Sequence, residues 1–341
     1  MSDAPSTERL DVLVAMPEPL VGAIFPDALR ARLDAVADVD WSTVLSGFSA
    51  DDARLSRVQV LLTSWGAPLL DARALALMPR LRAVVHAAGS VKHHLGPEVW
   101  DRGVAVTSAA EVNALPVADY TLAAVLFAGK RVFRKSHDYA QGVFGSDVTD
   151  PRMGNTARTV GIIGASRVGR ALLPMLARHG FRLLVSDPTL DDARIRALLP
   201  GYPVEPADLM TMMREADVVS LHAPELPETH HLIDDRMLSA MRDGAVLINT
   251  SRGSLVDTEA LTRHCASGRI DAVLDVTDPE PLPREHPLFA LPNVLITPHV
   301  AGALGSELQC FGDFSVRQIE RLSVGLPLEG QVTSAELGRI A

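Results

Sequence analysis

The stretch VGIIGASRVGR, Val160 to Arg170, constrains this chain more than any other. An apolar run, Thr159 to Ile163, reads as a strand buried in a parallel sheet. Gly164 opens a tight turn. From Arg167 to His179 the residues Val168, Leu172, Met175 and Leu176 recur at helical spacing on one face. A second apolar run, FRLLVSD, closes on Asp187, 23 residues after Gly164 (187 − 164). Strand, glycine turn, helix, strand and acid form the fingerprint of a dinucleotide site. The helix start offers N–H groups and a positive dipole end to a pyrophosphate. Asp187 is expected to accept hydrogen bonds from the adenosine ribose hydroxyls. The G-x-G-x-x-G pattern is broken once, because Ser166 stands where the middle glycine belongs. Serine adds a Cβ where the backbone approaches phosphate, yet its hydroxyl can bond a phosphate oxygen. On this motif alone, an ordinary βαβ turn that binds nothing is the alternative.

The chain as a whole suits a folded, soluble protein. Its 341 residues are enough for about two domains. Apolar residues make up 47%, which supports sizeable cores, and charged residues 22%. The net charge of −10 argues against a nucleic-acid or anionic-membrane partner. Cys265 and Cys310 allow one disulfide at most. The start, MSDAPSTERL, is polar and does not read as a signal peptide. The longest wholly apolar run, Leu122 to Ala128, is too short to span a bilayer. A cytoplasmic location is expected, and no metal site.

Alternation of apolar runs and helical patterns predicts α/β architecture throughout. Strands are expected at Asp11–Met16, Val58–Thr63, Leu81–His86 and Val104–Thr107, with an amphipathic helix over Phe25–Ala37 and another over Leu69–Met78. Asn113–Tyr139 reads as one long helix with Pro116 near its start. After Asp187, strands are expected at Asp217–His222, Ala245–Thr250, Ile270–Val276 and Val294–Thr297. Helices are expected at Asp208–Arg214, at Asp257–Ser267 with Asp257 as its cap, and at Glu307–Ser323. Polar and glycine-rich segments repeatedly follow the apolar strands. In a doubly wound sheet those are the carboxyl ends, where ligands bind.

Three such strand ends supply Arg252, Asp275, Glu280 and His299. Arginine's planar fork suits a carboxylate, through two parallel hydrogen bonds. Histidine exchanges a proton with a carbonyl or hydroxyl oxygen near neutral pH, and an adjacent carboxylate fixes its tautomer. Beside a nicotinamide, these groups suffice for 2-keto acid reduction. Three of them also have a structural alternative: Arg252 could cap a helix or pair with Asp257, Pro298–His299 could form a turn, and Glu280 could be a surface acid.

The segments LINTSRGSLVD, VLDVTDPEPLP and ITPHVAG resemble the three signatures of the D-isomer-specific 2-hydroxyacid dehydrogenases. VGIIGASRVGR resembles the family's cofactor turn, and NALPVADYTLAAVL its N-x-x-x-V-A-E helix. The resemblance covers nearly the whole chain. It implies a Rossmann-type doubly wound cofactor domain over 110–301. A second, flavodoxin-like α/β substrate domain would comprise 1–109 and 302–341. It implies NAD as cofactor, a small 2-hydroxy or 2-keto acid as substrate, and a homodimer through the cofactor domain. Arg252, Glu280 and His299 match the catalytic triad: Arg252 on the substrate carboxylate or carbonyl, His299 as acid/base and Glu280 as its partner. Asp275 matches the acid that contacts the nicotinamide carboxamide. The cofactor would be held by Gly164, Ser166, Arg167, Val168 and Gly169 of the turn and by Asp187. His222, Ala223, Thr250, Ser251, Arg252, Asp275 and His299 would complete that site.

Besides Ser166, three features depart from the family pattern. Asp119 replaces the glutamate of V-A-E, the C-terminal LPLEGQV lacks P-x-N-x-V, and the loop AAGSVKHH lacks the usual acid and amide. Trp65 and the loop Ala88, Gly89 and Ser90 are expected to set substrate choice, together with Arg252 and His299. Gly89 and Ser90 would offer backbone N–H groups to a carboxylate, while Lys92, His93 and His94 are expected to be solvated. Two alternatives stay open. One is a non-catalytic NAD-sensing protein of the same fold. The other is oxidation of phosphite or formate, although formate enzymes of this kind carry glutamine where Glu280 stands.

Overall fold

Uninterrupted runs of Val, Leu, Ile and Ala are what a strand buried on both faces needs, and this chain places them in two parallel sheets. The computed structural model describes residues 9–42, 44–145, 148–150 and 153–336. The chain divides into two compact units. One combines the stretch up to Asn113 with the stretch from Ala303 onward, and the other is Ala114–Gly302.

The first unit holds β1 (Leu10–Ala15), β2 (Ala37–Val39), β3 (Val60–Thr63), β4 (Ala83–His86) and β5 (Ala105–Ser108). Their order, β2-β1-β3-β4-β5, is that of a flavodoxin-like doubly wound sheet. Alternate side chains go to opposite faces. Val12, Val14, Leu62 and Val85 pack with Phe25, Phe311 and Phe314. Leu13, Leu61, Val84 and Val106 pack with Leu55, Met78 and Val99. The helix Gln309–Ser323 thus returns from the far end of the chain to complete this core. A Cβ at Gly312 would strike the Ile24 carbonyl, so the two helices meet on bare backbone there. Arg32 reinforces the closure with ion pairs to Asp313 (2.7 Å) and Glu320 (2.8 Å).

The second unit holds β6 (Thr159–Ile163), β7 (Arg182–Ser186), β8 (Val204–Pro206), β9 (Val218–Leu221), β10 (Val246–Asn249), β11 (Asp271–Leu274) and β12 (Val294–Ile296). The sheet order is β12-β11-β10-β9-β6-β7-β8. Counted from β6, that is the Rossmann order 3-2-1-4-5-6 with one further strand. The order reverses between β6 and β9, so the carboxyl ends of those two strands flank the crevice where such sheets bind ligands.

Two helix expectations need correction. Within Phe25–Ala37 only Asp27–Asp34 is helical: Pro26 is its N-cap, and Phe25 closes a separate, earlier helix, Glu18–Ile24. Ala37 belongs to β2. The single helix expected over Asn113–Tyr139 is two, Ala110–Gly129 and Val132–Ala140. The first ends because the segment 154–155 takes its last carbonyls. Asn155 Nδ2 donates to Leu126 O (3.0 Å) and Gly154 N–H to Gly129 O (2.6 Å). Arg131 then turns left-handed, at φ 51°. Pro116 lies inside the first helix, beyond its first turn. By length and composition Ala110–Gly129 could cross a membrane, but its Ala118, Ala124, Val125 and Ala128 belong to the second unit's core.

The solvated reading of the loop after Ser90 holds for His93, which is exposed, and fails for His94. His94 is buried against His86, with ring centroids 4.3 Å apart. Thr63 Oγ1 bonds His86 Nδ1 at 2.9 Å, which leaves the two rings packed side by side at the end of β4. Burial, with the neighbouring His93 second, pushes His94 down to about 4, and burial drives His86 well below its ordinary value. The unfolded chain therefore takes up a proton near pH 6.5 that folded His94 refuses until about pH 4. The stability of the neutral form is present above pH 6.5 and is lost as pH falls from there toward 4. The slope reaches about 1.4 kcal/mol per pH unit. His94→Phe should remove this term. Thermal unfolding of the variant should exceed wild type at pH 5 by more than at pH 8.

Candidate active site

The turn after β6 is built on close backbone approach. Gly164 has φ 93°, and a Cβ there would lie 2.7 Å from Ala223 N and 2.8 Å from His222 O. A Cβ at Gly169 would strike the Gly164 carbonyl, so helix and strand pack too closely for any side chain. His222 N–H donates to Ile163 O at 2.7 Å, tying the end of β9 to this turn. His222 itself is buried with Nε2 2.9 Å from Ser220 Oγ, and burial pushes it down to about 3, so it is a neutral wall.

Ser166 has a negative φ of −69°, so the backbone does not require glycine at this position. It is the N-cap of the helix Arg167–Ala177, its Oγ accepting from Gly169 N–H at 3.5 Å. Val168 follows in the first turn, where backbone N–H groups have no carbonyl within the helix to bond. Arg167 beside it is exposed. Asp187 Oδ2 accepts from Ala165 N–H at 2.8 Å, and Oδ1 accepts from Thr189 N–H (2.8 Å) and Oγ1 (2.6 Å). The acid therefore shapes the turn, and Oδ2 keeps a lone pair for a ribose hydroxyl. A helix start, a cradle too tight for side chains and an acid at the end of β7 together fit a dinucleotide.

The next candidates follow the adjacent strands β10, β11 and β12. Asn249 folds the SRG segment. Its Oδ1 accepts from Ser251 N–H (3.0 Å), and its Nδ2 donates to Arg252 O (2.8 Å). Ser251 Oγ donates to Ala223 O at 2.7 Å, and the Thr250 hydroxyl lies 3.0 Å from that of Thr121. The Arg252 guanidinium, half-buried, bonds Ser251 O at 2.7 Å. Among the described residues no carboxylate pairs with it, Asp257 included, since Asp257 caps the next helix by accepting from Ala260 N–H. A Cβ at Gly253 would strike the Thr277 carbonyl, which presses the SRG segment onto the loop that leads to Glu280.

His299 sits beyond β12 in the left-handed region, at φ 55°. Such a conformation costs a non-glycine residue about 1–3 kcal/mol and persists only where its surroundings fix it. Asp275 fixes it. His299 N–H donates to Asp275 O (2.9 Å), Val300 N–H to Oδ1 (2.8 Å) and Ala301 N–H to Oδ2 (2.9 Å). Thr297 Oγ1 donates to Oδ1 at 2.6 Å, and Tyr120 OH in turn bonds Thr297 Oγ1 at 2.6 Å. Burial pushes the Tyr120 phenol up, which keeps it a donor. The ring so presented places Nδ1 2.8 Å from Glu280 Oε1. A carboxylate only accepts, so Nδ1 carries the proton and Nε2 is turned to other partners. Thr297, Tyr120, Asn249 and Thr121 were not among the expected site residues. For Asn249 and Thr297 the signal lay in their motifs, LINTSRG and ITPHVAG; for Tyr120 and Thr121 no local signal existed.

In the first unit, Trp65 follows β3 and is 40% exposed, its ring edge-on to Phe311 at 5.4 Å. Ala88 is buried and gives its carbonyl to Ala109 N–H at 2.9 Å, while Gly89 and Ser90 are half-buried. Asn113 Oδ1 accepts from Ala303 N–H at 3.0 Å, joining the returning chain to the helix start.

Sheet order, the glycine turn and the paired histidine and glutamate define a dinucleotide-dependent oxidoreductase of the doubly wound class. Residues 122–301 match the family model described as "D-isomer specific 2-hydroxyacid dehydrogenase, NAD binding domain". A glyoxylate reductase of Thermofilum pendens is 30% identical over 324 residues, covering 90% of this chain and 91% of that one. Glyoxylate/hydroxypyruvate reductase B of Pectobacterium atrosepticum is 34% identical over 290 residues, or 81% and 85% of the two chains. A phosphoglycerate oxidoreductase from Rhizobium etli superposes with a TM-score of 0.79 at 27% identity, covering 95% of this chain and 98% of that one. The chain belongs to the D-isomer-specific 2-hydroxyacid dehydrogenase family, and is an NAD-dependent 2-hydroxyacid oxidoreductase.

Two outcomes follow for the cofactor turn. Ser166→Ala removes the cap and should lower stability by about 1 kcal/mol, while Ser166→Gly costs a few tenths. NADH affinity, read by fluorescence titration, should change only modestly in Ser166→Gly; a large gain would mark the serine as a steric defect. Against an adenosine ribose, Asp187 would repel a 2′-phosphate, so turnover should favour NADH over NADPH. Asp187→Ala should narrow that ratio while weakening both cofactors, because it also frees Ala165 N–H.

Proposed function

We propose that the chain interconverts small 2-keto and 2-hydroxy acids of the glyoxylate and hydroxypyruvate class, with Arg252, Glu280 and His299 as the catalytic residues. Bound NADH supplies the hydride. The guanidinium of Arg252 grips the substrate carboxylate through parallel hydrogen bonds. Protonated His299 donates from Nε2 to the carbonyl oxygen as the carbon is reduced, and takes that proton back in the reverse direction. Glu280 holds the ring by Nδ1 and stabilises the charge on the imidazolium while it lasts. Asp275 acts on this reading chiefly by holding the segment 299–301, beyond any contact with the nicotinamide carboxamide.

The observation that carries the proposal is the 2.8 Å contact between His299 Nδ1 and Glu280 Oε1, on a residue held in a left-handed conformation. Trp65, Ala88, Gly89 and Ser90 are proposed to set substrate choice. We also propose a cytoplasmic homodimer joined through the second unit, where Leu115 and Phe127 are large apolar side chains on the exposed face of the helix Ala110–Gly129.

Steady-state kinetics at the reduced-nicotinamide absorbance band test the reading, with glyoxylate and hydroxypyruvate as substrates. His299→Ala should cut kcat by about 10²–10⁴ with NADH affinity intact. Arg252→Ala should act mainly on KM for the keto acid. Near-normal turnover in His299→Ala would refute the assignment. Trp65→Ala should change the ratio of kcat/KM between the two substrates; lost stability with an unchanged ratio would make it a packing residue.

A further inference from the structure

On the loop that carries Glu280 and the segment beside it, three side chains from two stretches of chain come together. His230 and His231 follow the 3₁₀ turn Pro227–Thr229, and Asp278 lies two residues before Glu280. One nitrogen of each imidazole and one carboxylate oxygen lie within 4.8 Å of one another. We propose that His230, His231 and Asp278 bind a divalent cation of the zinc class, a site distinct from the cofactor turn and from the His299–Glu280 pair.

Adjacent residues in an extended chain point their side chains apart. Here His231 takes the left-handed conformation, φ 51°, and the two rings stack 3.9 Å apart at 20°. Both imidazoles are thereby delivered to one side. The backbone under them is fixed, since His231 N–H donates to Ser254 O at 2.8 Å. The third ligand is fixed as well. The Thr258 hydroxyl donates to Asp278 O at 2.8 Å, and the Thr277–Asp278 peptide rests on Gly253.

Two imidazole nitrogens and one carboxylate are borderline donors, suited to zinc, nickel or copper and poorly matched to calcium or magnesium, which want oxygen alone. A tetrahedral site with bonds of about 2.0–2.2 Å spaces its ligand atoms about 3.4 Å apart. The three atoms therefore have to draw together from their present spread, and both imidazole rings are exposed. Three protein ligands leave a fourth position for water. A bound ion would tie the segment 230–231 to the loop 277–280, and so to the base of the Glu280 side chain.

Calorimetric titration of the full chain with zinc chloride tests this. Saturable binding at one ion per chain is expected. His230→Ala and Asp278→Asn should each weaken it at least tenfold, and His264→Ala, which alters the separate His264–Asp235 contact, should leave it unchanged. Cobalt(II) should give a visible absorption band without the near-ultraviolet band of a thiolate ligand, and the band should be lost in both ligand variants. Circular dichroism checks that the variants are folded. Absence of saturable binding, or binding of unchanged affinity in either ligand variant, overturns the proposal. Neither readout depends on turnover, so failure of this site and failure of the catalytic assignment are separate results.

Discussion

Much of the second unit's chemistry depends on where one buried carboxylate places its hydrogen bonds. Three consecutive N–H groups, of His299, Val300 and Ala301, all end on Asp275. A buried carboxylate is costly unless it is hydrogen-bonded, and the Val300 and Ala301 N–H groups with the Thr297 hydroxyl satisfy it, while the His299 N–H takes the Asp275 backbone carbonyl. The same contacts hold His299 in a backbone conformation that it would not adopt alone. Asp275 is itself anchored, because its N–H donates to Asn249 O at the end of the neighbouring strand. Asn249 in turn folds the segment bearing Arg252. The geometry of the arginine and of the histidine is therefore set by one network across three adjacent strand ends.

Histidine serves three purposes here, and burial separates them. His222 is sealed behind the cofactor turn and stays neutral, a shaped wall with one hydroxyl contact. His94 is buried against His86 inside the first unit, so it affects stability in acid and no chemistry is assigned to it. His299 is exposed and bonded to a carboxylate, the placement on which its proposed acid–base role rests. Residue type alone does not distinguish these; the environment does.

What was legible in the sequence were features written locally. The run Thr159–Ile163 is a strand at those limits, and Asp257 caps the helix after it, because period and cap chemistry are local properties. The helix start at Asp27 is also written locally, in Pro26, although the apolar spacing runs across it. The break after Gly129 was not legible, since it comes from Asn155 and Gly154, 25 or more residues further on. Edge strand β8, only three residues long, is too short to show a period. At the site, residue types and order were readable, but the partners of Asp187 and Asp275 were not. A motif shows that an acid is present, whereas its hydrogen bonds depend on distant backbone.

The division of the chain also sets an order of assembly. Phe311, Phe314 and Ile319 belong to the same core as Val12, Leu62 and Val85. On the ribosome those C-terminal residues appear about 190 residues after Asn113 (303 − 113). At about 5–20 residues per second that is a delay of roughly 10–40 s. During it the first sheet lacks the helix that covers one of its faces, while the strands of the second sheet, β6 to β12, are all made. The nascent chain therefore completes its cofactor-binding half first, and the earlier-made half waits with apolar surface open to chaperones.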